Sequence, residues 1–248
     1  MSETQFLTRP DQTRLAYCSI PGRQPGVLFC GGFKSDMTGT KAVALEAAAR
    51  ARGTAFTRFD YFGHGQSDGR FIDGTIGRWK EDTLAILDQV CQGPQVIVGS
   101  SMGGWLATLA ALARPEKVIG LVLIAPALDF TEDLMWAQMT EEQRATLLRD
   151  GVLREPSDYS EEPYEYTLQL ITDGRTHCLM KAGIVFDKPV RILQGMRDPD
   201  VPWQHALKTI DAFRGDDTRL TLIKDGDHRL SRPQDIDLLI ETAWSLIR

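Results

Sequence analysis

The sequence has few of the features that mark disulfide-bonded, metal-binding and membrane-spanning proteins. It contains four cysteines in 248 residues, Cys18, Cys30, Cys91 and Cys178, and none of them forms a C-x-x-C pair. This scatter supports neither a zinc site nor a redox motif, and it favours a reducing compartment. The longest apolar run, residues 118–128, is too short to cross a bilayer. We therefore expect no metal site and no integral membrane association.

The chain also lacks an excess of basic charge. It has 28 Lys and Arg against 34 Asp and Glu, which gives a formal net charge of −6. Because no basic patch stands out, we expect no nucleic-acid partner. Residues 1–5 include an early acid and no basic region followed by an apolar core. They predict neither a secretory signal nor an Arg-rich transit peptide, so we expect a cytoplasmic location.

Short apolar strands alternate with helix-forming stretches along most of the chain. A hairpin pattern over residues 5–20 comes first, and the alternation then runs to Pro126 and resumes at Pro189. Continuous apolar runs such as residues 26–33 and 118–124 are typical of strands buried on both faces. The pattern predicts an α/β fold with a mostly parallel central sheet that is covered by helices on both faces.

The alternation is interrupted between residues 129 and 187. Three stretches of this segment have helical spacing: Leu134–Met139, Glu141–Arg149 and Tyr164–Ile171. An acidic stretch from Glu155 to Glu162 favours a solvent-exposed face. The segment is too long for an ordinary loop, and we predict a helical cap over the carboxyl edge of the sheet. The predicted division is a core of residues 1–128 and 188–248 and a cap of residues 129–187.

The strongest local signal is the sequence Gly-Ser-Ser-Met-Gly at residues 99–103. An apolar strand, residues 95–98, precedes it, and a helix-forming run, residues 105–114, follows it. Strand, tight turn and helix are the context that a Gly-x-Ser-x-Gly nucleophile elbow requires. The free N–H groups at a helix N-terminus favour developing negative charge beside the central serine. We predict that Ser101 is a catalytic nucleophile.

Two other serines are alternatives to Ser101. Ser67 lies at the centre of a second Gly-x-Ser-x-Gly match, residues 65–69. That match follows a polar loop instead of an apolar strand, and no helix begins there. Ser100 occupies the first x position of the elbow, so we expect its side chain to point away from the pocket. The context, and not the motif alone, favours Ser101.

A serine nucleophile needs a base, and the sequence offers four histidines. His228 directly follows the last predicted strand, where the base of this architecture lies. His64 and His177 either precede the expected acid or lie in the cap segment. His205 lies in a predicted helix. We predict that His228 is the base.

The acid and the oxyanion donors follow from the same architecture. Asp198 and Asp200 both follow the strand at residues 190–194, and we prefer Asp198 because it lies nearer to the strand end. One oxyanion donor is expected to be the backbone N–H of Met102, the residue after the nucleophile. The other is expected to be that of Phe33, which follows two glycines at the end of a buried strand. This mechanism requires neither a metal nor a cofactor.

The motifs together resemble the α/β-hydrolase superfamily. The main matches are Gly31-Gly32-Phe33, Arg58-Phe59-Asp60-Tyr61-Phe62-Gly63-His64-Gly65 and Gly99-Ser100-Ser101-Met102-Gly103-Gly104-Trp105. Further matches to one branch of it lie at residues 37–42, 113–118, 159–162, 177–179, 195–198, 201–203 and 227–229. The resemblance spans nearly the whole chain, including the cap segment, and implies the α/β-hydrolase fold.

The resemblance also implies a chemistry. Members of this branch are serine hydrolases that act on acyl-glucuronide esters and remove palmitoyl groups from cysteine thioesters, and their triad falls on Ser101, Asp198 and His228. We therefore expect a carboxylic ester or acyl-thioester hydrolase whose substrate is a small molecule or an acylated protein. A mitochondrial location does not carry over, because residues 1–5 do not resemble a transit peptide. A peptidase, a carbon–carbon bond hydrolase and a non-catalytic ligand-binding protein remain alternatives.

Overall fold

The computed structural model describes residues 2–155 and 164–247. Its strands are β1 (Gln5–Thr8), β2 (Arg14–Ile20), β3 (Arg23–Cys30), β4 (Thr54–Phe59), β5 (Gln95–Ser100), β6 (Val118–Ile124), β7 (Val152–Glu155), β8 (Tyr164–Thr167), β9 (Val190–Gly195) and β10 (Thr218–Ile223). Its α-helices are α1 (Thr40–Arg52), α2 (Ile76–Gln89), α3 (Met102–Ala113), α4 (Glu141–Asp150), α5 (Leu168–Arg175), α6 (Trp203–Ala212) and α7 (Pro233–Ser245). The match at residues 159–162, and the acidic stretch beyond Glu155, lie outside the described residues.

Eight of these strands form one sheet in the order β1-β2-β4-β3-β5-β6-β9-β10. The β1–β2 and β2–β4 pairs are antiparallel, and each later pair of neighbours is parallel. This confirms both the N-terminal hairpin and the mostly parallel sheet. Within the part of the chain that the structure describes, no helix has the length and apolarity needed to cross a membrane.

Helices cover both faces of the sheet, as the continuous apolar strands predict. On β5, Ile97 packs into a cluster with residues of α2 and α3, whereas Val96 and Val98 pack with residues of α1 and α7. Successive side chains of a strand point to opposite faces, so a strand between two helical layers is buried on both faces and is apolar over most of its length. All six residues of β5 are buried accordingly.

The carboxyl ends of the central strands meet at one edge of the sheet. The register pairs Cys30 with Gly99 and Ser100 with Ile124. Further along, Ile223 pairs with Gly195. The loops that follow β3, β5, β9 and β10 therefore emerge side by side, which is where α/β sheets bind their ligands.

The segment between β6 and β9 contains helices, as predicted, together with a small second sheet. β7 and β8 pair antiparallel, with Val152 opposite Thr167. The predicted helix over Tyr164–Ile171 is therefore wrong at its start, because the helix begins only at Leu168. The Thr167 side chain accepts a hydrogen bond from the Leu170 N–H and caps α5, which marks the change from strand to helix. The boundaries of the cap remain a prediction.

Candidate active site

The turn between β5 and α3 has a strained backbone at Ser101. The residue has φ 55° and ψ −121°, a conformation that non-glycine residues rarely adopt. Three hydrogen bonds hold it there: its N–H donates to Ile124 O at 2.8 Å, and its carbonyl accepts from Gly104 N at 2.8 Å and Ala127 N at 3.1 Å. Strain of this kind persists only when surrounding contacts enforce it, and it is the geometry that a nucleophile elbow requires.

The two glycines of the elbow are required by close backbone packing. A Cβ atom added to Gly99 would lie 2.3 Å from the carbonyl oxygen of Gly103. One added to Gly103 would lie 2.2 Å from the carbonyl oxygen of Cys30. The absence of these two Cβ atoms therefore lets β5, α3 and the end of β3 meet around the serine.

The alternative serines have different surroundings. The Ser67 hydroxyl donates to Asp60 O at 2.6 Å and accepts from Ala16 N at 2.8 Å, so it ties two loops together. Ser100 is the last residue of β5 and is 8% exposed. Ser101 is half-buried and occupies the strained turn. Both Ser100 and Ser101 border the same cavity, so the cavity does not distinguish them as nucleophiles. The strained backbone of the turn favours Ser101.

Asp198 and His228 form a hydrogen-bonded pair. His228 Nδ1 lies 2.8 Å from Asp198 Oδ2, and the acid side chain is fully buried whereas the imidazole is 20% exposed. The other carboxylate oxygen, Oδ1, accepts from the backbone N–H groups of Asp200 at 2.9 Å and Val201 at 2.8 Å. Of the two candidate acids, Asp198 is therefore the one that contacts the imidazole. Asp200 donates its backbone N–H to the Asp198 carboxylate.

The loops that carry Asp198 and His228 are joined through their backbones. Met196 N donates to Ile223 O at 2.9 Å, and Arg197 N donates to Gly226 O at 2.9 Å. A Cβ atom on Gly195 would lie 2.4 Å from the Gly226 carbonyl oxygen, so only glycine permits this approach. The distance between Asp198 and His228 is therefore set by main-chain contacts between their loops.

Gln194 is a site residue that the sequence did not reveal. It is fully buried, and its Nε2 donates to Asp198 Oδ2 at 3.1 Å and to Val201 O at 3.0 Å. Its Oε1 has no hydrogen-bond partner among the described residues. The amide thus orients the carboxylate that contacts the histidine. The signal was present in the sequence as one polar residue at the end of an apolar strand.

Asp198, Asp200 and His228 also form a group whose potential metal-ligand atoms lie within 4.8 Å of one another. A metal ligand needs an available lone pair, yet the two Asp198 oxygens already interact with four N–H groups, from Asp200, Val201, Gln194 and the imidazole. This pattern of bonds suits a carboxylate that orients an imidazole better than one that binds a cation.

The predicted oxyanion donors lie on either side of the elbow. Met102 is the first residue of α3, so its N–H is one of those that a helix leaves without an internal acceptor. Phe33 follows β3, and a Cβ on its neighbour Gly32 would lie 3.5 Å from the Ser101 Cβ. Phe33 and Met102 both border the cavity. Their role as donors remains a prediction.

The other three histidines make different contacts. His205 is buried on α6 with Nε2 2.8 Å from Leu128 O, and burial lowers its pKa. His64 is buried, and its Nε2 accepts from the Lys34 N–H at 3.3 Å. His177 lies 3.8 Å from an aspartate of α5, and its pKa is lowered mainly by burial. Of the four, His228 is the one that contacts Asp198.

A cavity of about 720 Å³ lies over Ser101 and His228. This volume falls in the range of small-molecule sites. Phe130, Leu134 and Met135 contribute apolar side chains to its lining, and Lys34, Lys41 and Arg229 contribute cationic ones. The site can therefore accommodate both an apolar group and a negatively charged one.

Lys41 lines the cavity and also contacts the loop that carries His228. Its Nζ donates to Arg229 O at 2.5 Å and lies 3.5 Å from Ser231 Oγ. Burial lowers the pKa of Lys41 to about 8, so the amine is mostly protonated at pH 7. The sequence did not mark this lysine, because its position in the site depends on the packing of α1 against the loop after β10.

The parallel sheet, the strained turn at Ser101 and the pairing of Asp198 with His228 are those of an α/β-hydrolase. Residues 24–160 match the family described as serine aminopeptidase, S33. The mitochondrial palmitoyl-protein thioesterase ABHD10 of Mus musculus is 44% identical over 98% of this chain and 82% of its own length. The Homo sapiens protein of the same name is 42% identical over 98% of this chain and 79% of its own length.

Two solved structures extend the likeness to three dimensions. A putative hydrolase from Agrobacterium vitis S4 superposes with a TM-score of 0.95 at 45% identity, covering 99% of both chains. Mouse alpha/beta hydrolase domain-containing protein 10 gives a TM-score of 0.92 at 42% identity, covering 99% of this chain and 98% of its own. The chain belongs to the ABHD10 family of α/β-hydrolases and is an ester or thioester hydrolase.

Proposed function

We propose that this enzyme hydrolyses acyl esters and acyl-thioesters through a triad of Ser101, His228 and Asp198 and an acyl-enzyme intermediate. The observation that carries the proposal is the 2.8 Å contact between His228 Nδ1 and the buried Asp198 carboxylate, beside a cavity that Ser101 and His228 share. The order of the three residues along the chain is that of the α/β-hydrolases.

In the first half-reaction, Ser101 Oγ attacks the substrate carbonyl carbon while His228 Nε2 accepts the hydroxyl proton. Asp198 holds the proton on Nδ1 and stabilises the imidazolium. The N–H groups of Met102 and Phe33 donate to the developing oxyanion, and each such donor contributes roughly 3–4 kcal/mol to transition-state stabilisation. The imidazolium then protonates the departing alkoxide or thiolate, which leaves as an alcohol or thiol.

In the second half-reaction, His228 removes a proton from a water molecule that attacks the acyl carbon of the ester at Ser101. The same two donors stabilise the second oxyanion. Collapse of this intermediate breaks the bond to Ser101 Oγ, and the serine regains its proton from the imidazolium. The products are a carboxylic acid and the free enzyme.

The lining of the cavity combines apolar side chains that suit an acyl group with cationic side chains that suit an anionic leaving group. Phe130, Leu134 and Met135 offer apolar contact, and Lys41 places a cation beside the loop of the base. Acyl-glucuronide esters fit this combination because the sugar carries a carboxylate. The relatives named palmitoyl-protein thioesterases support palmitoylated cysteine as the other substrate class. The cytoplasmic location remains a prediction.

A second candidate activity is peptide hydrolysis, which the description of the matching family as a serine aminopeptidase favours. The experiment that separates the two compares kcat/KM for an aryl ester, an acyl-thioester and an aryl amide that share one acyl group. We expect the ester and the thioester to be hydrolysed faster than the amide, and all turnover to be lost in Ser101→Ala. Faster cleavage of the amide would support the peptidase, and turnover by Ser101→Ala would contradict the triad.

A further inference from the structure

His64 is a buried imidazole held between two backbone groups beside the site. It is 3% exposed, and its Nδ1 lies 3.1 Å from Phe62 O while its Nε2 lies 3.3 Å from Lys34 N. A carbonyl oxygen can only accept and a backbone N–H can only donate. The two contacts therefore require that Nδ1 carries the hydrogen and that Nε2 accepts from Lys34.

The backbone N–H of Lys34, from which His64 accepts a hydrogen bond, belongs to the loop that carries the predicted oxyanion donor Phe33. Lys34 directly follows Phe33 and has φ 56°, a left-handed conformation that is uncommon for lysine. Ser35 N donates to Gly32 O at 3.2 Å, which closes a turn around these two residues. The bond from Lys34 N to His64 fixes the plane of the peptide that follows Phe33. The Phe33 N–H lies in the preceding peptide, whose carbonyl oxygen, Gly32 O, accepts from Ser35 N.

The same aromatic rings pack against both His64 and Phe33. The imidazole lies 5.1 Å from the ring of Phe71 and 5.2 Å from that of Trp79, measured between centroids. The Phe33 ring lies 4.7 Å from Phe71 and 5.9 Å from Trp79. Trp79 Nε1 also donates to Phe62 O at 3.0 Å, the carbonyl that His64 Nδ1 contacts. Packing and hydrogen bonds thus fix the imidazole relative to Phe33.

We propose that His64 is a positioning residue for catalysis: by accepting the Lys34 N–H, it fixes the peptide that follows Phe33 and so holds the turn from which the Phe33 N–H points toward the oxyanion. The inference rests on the proposed triad mechanism and on Phe33 as a donor. His64 itself exchanges no proton with the substrate. Burial lowers the pKa of His64 to about 4, so its Nε2 lone pair is available at neutral pH.

The test compares two replacements of His64, using an aryl ester and a trifluoromethyl ketone that forms a hemiketal oxyanion with the nucleophile. His64→Leu removes the acceptor, and we expect kcat to fall about 10- to 100-fold, less than the loss of a direct donor, with KM within threefold. Affinity for the ketone should fall in parallel. His64→Gln retains an acceptor oxygen and should recover most of kcat.

The matched control is Gln95→Leu, which removes a buried hydrogen-bonding side chain, 2% exposed, from the amino end of β5, the end of that strand opposite to Ser101. We expect it to lower Tm while kcat stays within twofold. Should His64→Leu fail to fold, His64→Asn serves in its place, because its shorter side chain cannot reach the Lys34 N–H.

Three outcomes would overturn the inference: a loss confined to KM, a wild-type kcat in the variant without the acceptor, or an equal loss of kcat in Gln95→Leu. The proposed function has its own separate test. Turnover by Ser101→Ala contradicts the triad, whereas a fully active His64→Leu enzyme with an inactive Ser101→Ala enzyme contradicts only the role of His64.

Discussion

Gln194 Nε2 lies 3.1 Å from Asp198 Oδ2, the same carboxylate oxygen that His228 contacts at 2.8 Å. A buried amide and the imidazole therefore share one acceptor, and the position of the carboxylate depends on both. A hydrogen bond to a charged group contributes about 1.5–3 kcal/mol. Gln194→Leu should accordingly lower kcat/KM for an aryl ester by about 10- to 100-fold.

A matched control for this substitution is Gln95→Leu. Gln95 is also buried, at 2% exposed, and its Nε2 donates to Gln92 O at 2.7 Å at the opposite end of the sheet. We expect this variant to lose stability with little change in kcat/KM. An equal loss of kcat/KM in both variants at matched Tm would show that Gln194 acts only through stability.

The lowered pKa of Lys41 predicts that KM depends on pH for anionic substrates and not for neutral ones. Burial lowers its pKa to about 8, so the amine loses its charge as the pH rises through that value. An interaction of about 1 kcal/mol corresponds to roughly a fivefold change in affinity. KM for an acyl-glucuronide should therefore rise about fivefold between pH 7 and 9, while KM for a neutral ester of similar size changes little.

The lysine can be tested by removing its charge. Lys41→Met should raise KM for the acyl-glucuronide at pH 7 and abolish the rise between pH 7 and 9. The neutral ester is the matched control, since its binding does not involve the amine. A rise of equal size for both esters would assign the pH dependence to another group.

The close packing around the elbow glycines predicts that a substitution at Gly103 lowers stability more than one at the neighbouring Gly31. Gly103→Ala places a methyl group 2.2 Å from the Cys30 carbonyl oxygen, so α3 and β3 must move apart. Overpacking of this kind costs about 1–3 kcal/mol or more. Gly31→Ala is the control, because its Cβ would meet no atom within 4 Å. Equal Tm values for the two variants would contradict the packing account of the elbow.

Glu46 predicts a loss of stability in acid. Burial acts to raise its pKa, but hydrogen bonds from Arg58 and Arg50 outweigh it and lower the pKa from 4.5 to about 2. The carboxylate therefore stabilises the fold above pH 4.5, and this contribution is lost as the pH falls toward 2. Between pH 5 and 3, the free energy of unfolding should fall more steeply for the wild-type protein than for Glu46→Gln.

The same variant has a predicted effect at neutral pH. Arg58 is 2% exposed, so Glu46→Gln leaves a buried guanidinium without its charged partner and should cost roughly 3 kcal/mol. Glu116→Gln, at an exposed position, is the control and should change neither the stability nor its pH dependence. Urea unfolding at several pH values measures both quantities. Parallel pH curves for the wild type and Glu46→Gln would contradict the assignment.

Elements that depend on local pattern were predictable from the sequence. The helix Thr40–Arg52 ends at Gly53, whose φ of 63° suits glycine, the residue that most often follows a helix. The strand, turn and helix around Ser101 also match the prediction, because apolar runs and the glycine spacing report them directly. The order of Asp198 and His228 followed from the architecture, and the structure places them in contact.

Features that depend on distant contacts were not predictable. Residues 164–167 form a strand through pairing with residues 152–155, which the local sequence does not report. Lys41 and His64 join the site through contacts between segments far apart in the chain. A lysine on a helix carries no local mark of such a role, whereas Gln194 was marked as one polar residue at the end of an apolar strand, four residues before Asp198.

The most direct test of the account is labelling with a fluorophosphonate probe, followed by peptide mapping of the modified serine. The probe reacts with a serine that is activated by a base and an oxyanion hole. We predict a single label on Ser101 that is abolished in Ser101→Ala and retained in Ser67→Ala and Ser100→Ala. A label that persists in Ser101→Ala, or that maps to Ser67 or Ser100, would contradict Ser101 as the nucleophile.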